Sequence, residues 1–313
     1  MCGIAGLIHK DKTVNIGKEL RDMLQALKHR GPDSTGYALY GEGSNGDYIM
    51  RFKVGENVGE GSSAVNEDKS VYDSRKKQVD SHLKELGAQI VKEDRLTPYS
   101  FRYIIKYDKD LMEFSKKIES VEMTEILSLG KSLELVKDLG DANTVSKQYG
   151  LDKMKGTHAI GHSRMATESG VDIRSAHPFW GYPFSDMSVV HNGQLTSYWN
   201  NRRILERKGM RFVSECDSEL IAVYLAEKMR SGVTLEQGMK DSIKELDGVF
   251  TYLVATKDSL GMAKDVMAAK PMVLYESDDL VALGSEEIAI RTLLPQEIDT
   301  YDPYEGEVKV WQT

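Results

Sequence analysis

Two cysteines in 313 residues, Cys2 and Cys216, are too few for a disulfide scaffold, a four-cysteine zinc site or a thiolate-held iron–sulfur cluster within this chain. Long apolar runs are missing as well. None reaches the roughly 18 residues that span a bilayer, and the stretch over residues 2–8 is too short for a secretory leader. Basic charge is not in excess: lysine and arginine number 41 against 49 aspartates and glutamates, a net charge of −8 that gives polyanions no general attraction. Low-complexity tracts and internal repeats are absent too. What remains is a globular composition, 40% hydrophobic and 29% charged, far from that of disordered chains. These absences predict a cytoplasmic protein of about two folded units, with no nucleic-acid or membrane partner.

Residues 2–9 form a continuous apolar run, the pattern of a buried strand, and Ile16, Leu20, Met23, Leu24 and Leu27 recur at helical spacing over residues 15–29. Arg30-Gly31-Pro32-Asp33 breaks that helix, and residues 37–40 begin a second strand. Gly41-Glu42-Gly43-Ser44-Asn45-Gly46 has the glycine spacing of a dinucleotide fingerprint, but a strand follows it instead of a helix. Without a helix N-terminus there is no phosphate cradle, and the segment reads as a hairpin turn.

From residue 47 to about 130 the texture changes to lysine and glutamate. Strand 48–54, helix 71–86, strands 88–92 and 101–107, helix 111–118 and extended 123–129 follow in the order β-α-β-β-α-β, the split arrangement of a ferredoxin-like module. Arg75-Lys76-Lys77 reads as the solvated face of its helix. Beyond Gly156 come strands at 157–163 and 187–191, then helices at 197–207 (Ile204 and Leu205 inward), 218–229 and 235–246. A strand-rich end follows at 250–255, 260–263, 272–275, 280–283 and 308–311, interrupted by a short helix at 286–293.

Removal of the initiator methionine, expected before a small second residue, would make Cys2 the N-terminus. A free α-amino group titrates near 8, so a useful fraction is unprotonated at neutral pH and can take the thiol proton directly or through a water. Nucleophile and base would then share one residue. A small buried cysteine is the plainer alternative. His158 and His162 have the i, i+4 spacing of two helical metal ligands, but they sit in an extended pattern, which argues against zinc.

Six segments bear on that choice: Met1-Cys2-Gly3-Ile4-Ala5-Gly6, His29-Arg30-Gly31-Pro32-Asp33-Ser34-Thr35-Gly36, Gly161-His162-Ser163-Arg164-Met165-Ala166-Thr167, Ala176-His177-Pro178, His191-Asn192-Gly193 and Glu215-Cys216-Asp217-Ser218-Glu219. Together they resemble the class II, N-terminal-nucleophile glutamine amidotransferases, in that family's order. The resemblance implies an α+β fold, a four-layer αββα sandwich. Its two parts would be residues 1–46 with 131–313, and an inserted module at 47–130.

It also implies roles. Cys2 is the expected nucleophile, and Asn192 and Gly193 an oxyanion hole, one by its side-chain amide and the other by its backbone N–H; Asn-Gly is also a common hairpin turn. Arg164 would grip the α-carboxylate of glutamine with a bidentate fork. Asp217 would pair the α-ammonium, although an aspartate before an apolar-periodic run is also an ordinary helix N-cap. Arg30 would stand in the wall near the nucleophile and help position it, and Thr167 would line the glutamine pocket.

Longer phrases, residues 156–169, Asp247-Gly248-Val249-Phe250-Thr251-Tyr252 and Ala269-Lys270-Pro271, look like the free-standing glutaminase subunit of glutamate-synthase-like assemblies, including N-methylglutamate synthase. Met165 and Glu168 fit that subgroup. The expectation is then hydrolysis of L-glutamine to glutamate, with ammonia passed to a separate synthase subunit. No cofactor is expected in this chain, while FMN and an iron–sulfur cluster are expected in the partner. Residues 47–130 would serve assembly or regulation. A non-catalytic glutamine-sensing or scaffolding subunit is the alternative; an acylase acting on another amide would have no reason to keep both Arg164 and Asp217.

Overall fold

A computed structural model describes residues 2–56, 67–165 and 173–313. The chain opens with strand β1 (Gly3–His9), helix α1 (Ile16–Ala26) and β2 (Ser34–Tyr40). An insertion follows: β3 (Tyr48–Lys53), α2 (Lys69–Leu86), β4 (Gln89–Arg95), β5 (Ser100–Lys106), α3 (Leu111–Ile118) and β6 (Glu125–Gly130). The chain resumes with β7 (Leu133–Leu139), α4 (Ala142–Tyr149), β8 (His158–Arg164), β9 (Phe179–Trp180) and β10 (Ser188–Leu195). Helices α5 (Tyr198–Arg207), α6 (Asp217–Arg230) and α7 (Leu235–Glu245) come next. The end comprises β11 (Gly248–Ala255), β12 (Ser259–Lys264), β13 (Val273–Glu276), β14 (Leu280–Gly284), α8 (Glu287–Arg291) and β15 (Val308–Gln312).

Two antiparallel sheets face each other, ordered β13-β14-β1-β8-β2-β7 and β15-β12-β11-β10-β9. Strand β1 is buried along its whole length because both its faces are covered. Ile4 and Ile8 point between the sheets toward Leu253, whereas Ala5 and Leu7 point the other way, onto α1 and its Leu20, Met23 and Leu24. On the far side α6 and α7 cover the second sheet, where Leu220, Tyr224, Leu225 and Met239 pack on Phe250, Tyr252 and Val254. The result is the four-layer αββα sandwich expected from the sequence.

The insertion carries its own sheet, ordered β4-β5-β3-β6, with every neighbouring pair antiparallel. Numbered within the insertion this is 2-3-1-4, the ferredoxin-like order. Its junction with the sandwich joins a shared apolar core to a buried polar network. Arg51 and Arg102 both pair with Glu134 of β7, and the Tyr99 hydroxyl donates to Asp138 at 2.5 Å beside the Tyr149 hydroxyl at 2.8 Å. Burial alone would raise the Glu134 carboxyl, but the two guanidiniums hold it down at about 2.

Some expectations fail locally. Arg75 is buried, not solvated: its guanidinium donates to the Val54 carbonyl and pairs with Glu67, and of the Arg75-Lys76-Lys77 run only Lys77 is exposed. Ile204 is 44% exposed while Leu205 is buried, since consecutive helical residues point about 100° apart and both cannot face inward. Strand β7 and helix α4, missing from the sequence reading, complete the first sheet and its outer layer.

Candidate active site

The start of β1 lies beside the end of β8, because the two strands run antiparallel with Gly3 opposite Ser163. This register brings Cys2 against Arg164 and Met165. The Met165 backbone N–H points at the Cys2 sulfur from 3.5 Å. Strand β10 of the facing sheet supplies Asn192 and Gly193, and the first residue of α6 supplies Asp217. One cleft of about 670 Å³ is lined by Cys2, Arg164, Asn192, Gly193 and Asp217 together with Met165 and Tyr198.

Two donors grip the Cys2 carbonyl oxygen: Arg30 Nε at 3.1 Å and Asn192 Nδ2 at 3.0 Å. Arg30 stands behind the nucleophile, paired with Glu286, which His29 also approaches at 3.1 Å. An amide nitrogen has two hydrogens, so Asn192 keeps a second N–H for an oxygen in the cleft. Gly193 has φ 147, and a Cβ there would come within 2.0 Å of the Val249 carbonyl oxygen. Only glycine lets the backbone turn its N–H this way against β11.

Asp217 is not the N-cap that a local reading allows. Cys216 occupies that position, and the Asp217 carboxylate reaches across to accept the Leu195 backbone N–H at 2.8 Å. Burial pushes its carboxyl above the ordinary value, an effect opposed by the N–H groups of Leu195 and Ser218. Glu219, in the same first turn, accepts from the backbone N–H groups of Val213 and Ser214 and shapes the loop leading to Asp217. Burial, then the neighbouring Asp217, push the Cys216 thiol up to about 11, so it is protonated at neutral pH. Arg164, at the end of β8, is half-buried. Thr167 and Glu168 lie outside the described residues, as does Met1.

Three imidazoles that are themselves almost wholly buried, His162, His177 and His191, also line the cleft. Ring centroids of His162 and His177 are 4.1 Å apart, and those of His177 and His191 are 6.4 Å apart. Burial holds His162 and His191 down at about 3 and His177 well below the usual range. The motifs contain all three, but spacing alone gave them no role. Glu286 was missed outright, since it lies more than 250 positions from the arginine it fixes. His158 lies on β8 at the far end from Arg164, its Nε2 2.7 Å from the Thr256 carbonyl oxygen, in the extended setting expected. Among the described residues no group of three potential ligands is placed to hold a metal, and no described helix is long and apolar enough to cross a membrane.

Solved structures share this architecture. The glutamine phosphoribosylpyrophosphate amidotransferase of B. subtilis superimposes on 99% of the chain with a TM-score of 0.60 at 18% identity. A structure described as the allosteric regulatory enzyme of purine biosynthesis does so at 0.62. The chain spans 47% of each of those proteins, and at this identity the likeness concerns the fold, that of the N-terminal-nucleophile amidotransferases. A family model described as a glutamine amidotransferase domain matches residues 162–292. A provisionally assigned glutamine amidotransferase of Methanothermobacter thermautotrophicus is 37% identical over the full length of both chains. A glutamine amidotransferase-like protein of Rhizobium meliloti is 34% identical over 94% of this chain and 92% of its own. The chain belongs to the class II glutamine amidotransferase family.

Proposed function

We propose that this protein is the glutaminase subunit of a larger assembly, with Cys2 as its N-terminal nucleophile once Met1 is removed. The observation that carries the reading is the convergence of Cys2, the Asn192–Gly193 turn, Arg164 and Asp217 on one cleft. Arg164 binds the α-carboxylate of glutamine and Asp217 its α-ammonium, so the side-chain amide is delivered to the sulfur. Arg30 fixes Cys2 through its carbonyl.

The Cys2 thiolate attacks the amide carbon, and the oxygen that becomes negative is met by the second Asn192 N–H and the Gly193 N–H. The α-amino group of Cys2, having taken the thiol proton, gives it to the departing nitrogen. The C–N bond breaks, ammonia leaves and a γ-glutamyl thioester remains. Water then attacks the thioester, releasing glutamate and restoring the thiol.

Ammonia is the useful product. Amidophosphoribosyltransferase of Methanocaldococcus jannaschii is 30% identical over 57% of this chain but only 38% of its own, so most of that enzyme has no counterpart in this sequence. The resemblance of residues 156–169, 247–252 and 269–271 to free-standing glutaminase subunits supports a separate, glutamate-synthase-like subunit as the acceptor, working in the cytoplasm in nitrogen metabolism. FMN and iron–sulfur chemistry belong to that subunit, consistent with only two cysteines here. The ferredoxin-like insertion is assigned to assembly or regulation.

Purified protein should release glutamate and ammonia from L-glutamine, and Cys2→Ala should abolish this. Co-expression should recover a flavin-containing partner. Absence of glutamine turnover in the processed protein and its complex would favour the sensing or scaffolding alternative.

A further inference from the structure

We propose that His162 is a positioning residue for glutamine hydrolysis: by donating its Nε2–H to Asn192 Oδ1 it locks the amide with Nδ2–H facing the oxyanion. The inference rests on the assignment of Asn192 to the oxyanion hole. An asparagine amide fits its site either way round, because oxygen and NH2 are nearly the same size. Its surroundings decide. The Cys2 carbonyl oxygen can only accept, and it lies 3.0 Å from Asn192 Nδ2. The other end of the amide therefore presents Oδ1 to His162 Nε2, at 3.1 Å, and that nitrogen must carry the hydrogen.

The ring that makes this bond is itself held. His162 is 1% exposed, lies in a strand paired on both sides, opposite Ile4 and Gly36, and packs against His177. Gly36 matters to that packing: a Cβ there would meet the His177 carbonyl oxygen at 1.9 Å, so only glycine lets the His177 segment close onto this strand. His177, His191 and Arg164 face the ring, and burial keeps it uncharged at neutral pH. An uncharged imidazole has one N–H, and here Asn192 uses it. Without His162, a half-turn of the amide would put Oδ1 where the oxyanion forms, an acceptor against a negative oxygen. The cost would fall on the transition state and spare substrate binding.

Steady-state kinetics on His162→Leu, His162→Gln, Asn192→Ala and the His162→Leu/Asn192→Ala double variant test this. His162→Leu should lower kcat by about 10- to 100-fold, the range for losing a partner that orients a catalytic group, with KM changed less than about threefold. Alkylation of Cys2 by chloroacetamide should be unaffected, showing that nucleophile and fold are intact. His162→Gln, whose amide N–H can stand in for Nε2–H, should recover most of the loss. The double variant should be no slower than Asn192→Ala. If His162→Leu does not fold, His162→Asn, whose amide falls short of Asn192, takes its place. Unchanged kcat in the donor-less variant, or multiplying losses in the double variant, would overturn the proposal. Full activity in Asn192→Ala would instead remove the oxyanion assignment, and this inference with it.

Discussion

Lowering the pH from 7 to 5 should destabilise the folded protein by several kcal/mol, through four histidines buried without charge. Burial holds His158 at about 4 and His162 and His191 at about 3, and lowers His177 well below the ordinary value. In the unfolded chain each titrates near 6.5. A depressed folded value means that the stability is present above 6.5 and is lost as the pH falls, because only the unfolded chain takes up the protons. At pH 5 each ring is about 1.5 units below its unfolded value, which at about 1.4 kcal/mol per unit costs about 2 kcal/mol. The native rings stay uncharged, so the four costs add, to about 8 kcal/mol at most. Asp217 and Glu219, whose carboxyls burial pushes up, act in the opposite sense and return part of it. Glu125 and Glu134, held at about 2, lose their contribution only below about 4.5, outside this window. Set against a typical total of 5–15 kcal/mol, the effect should be plain in urea unfolding curves at pH 7, 6, 5.5 and 5. A midpoint that stays constant from pH 7 to 5, or an NMR titration showing these rings protonating near 6.5 in the folded protein, would refute the reasoning.

Replacing Asp217 by Asn should raise KM for glutamine roughly 10- to 100-fold with little loss of kcat, since a charge-assisted hydrogen bond to the ammonium is worth about 1.5–3 kcal/mol. Burial raises the Asp217 carboxyl, so in the native protein KM should climb as acidification protonates it, and in Asp217→Asn it should not; initial rates at saturating and limiting glutamine separate the cases. Glu134→Gln should cost about 3–5 kcal/mol in urea unfolding, because it leaves the buried Arg51 facing a neutral amide. A loss below about 1 kcal/mol would show that the insertion is held by other contacts.

The sandwich was legible because its strands and helices carry strong periodic patterns: the unbroken apolar run of β1 and the Ile16, Leu20, Met23, Leu24 face of α1 both fold as read. Strand β7 was not, since Glu134, Lys137 and Asp138 put charges into what becomes a buried strand, and only their partners Arg51, Arg102, Glu125, Tyr99 and Tyr149 explain them. Arg75 was misjudged for the same reason: a lysine-rich run looks solvated until the fold supplies Glu67. At the site, motifs brought Cys2, Arg164, Asn192, Gly193 and Asp217 into view, and these line one cleft. The tertiary partners were invisible. Glu286 behind Arg30, the Met165 N–H at the sulfur and the tautomer of His162 depend on contacts between residues more than 100 positions apart, or on a proton, and no spacing rule reports either.

Cys2 as nucleophile is tested most directly by mass mapping after reaction with a diazoketone analogue of glutamine. The account predicts one adduct, on a Cys2 that has lost Met1, with Cys216 unmodified because its thiol is pushed up to about 11 and stays protonated, and labelling slowed by excess glutamine. An adduct on Cys216, or full labelling and turnover in Cys2→Ala, would contradict it.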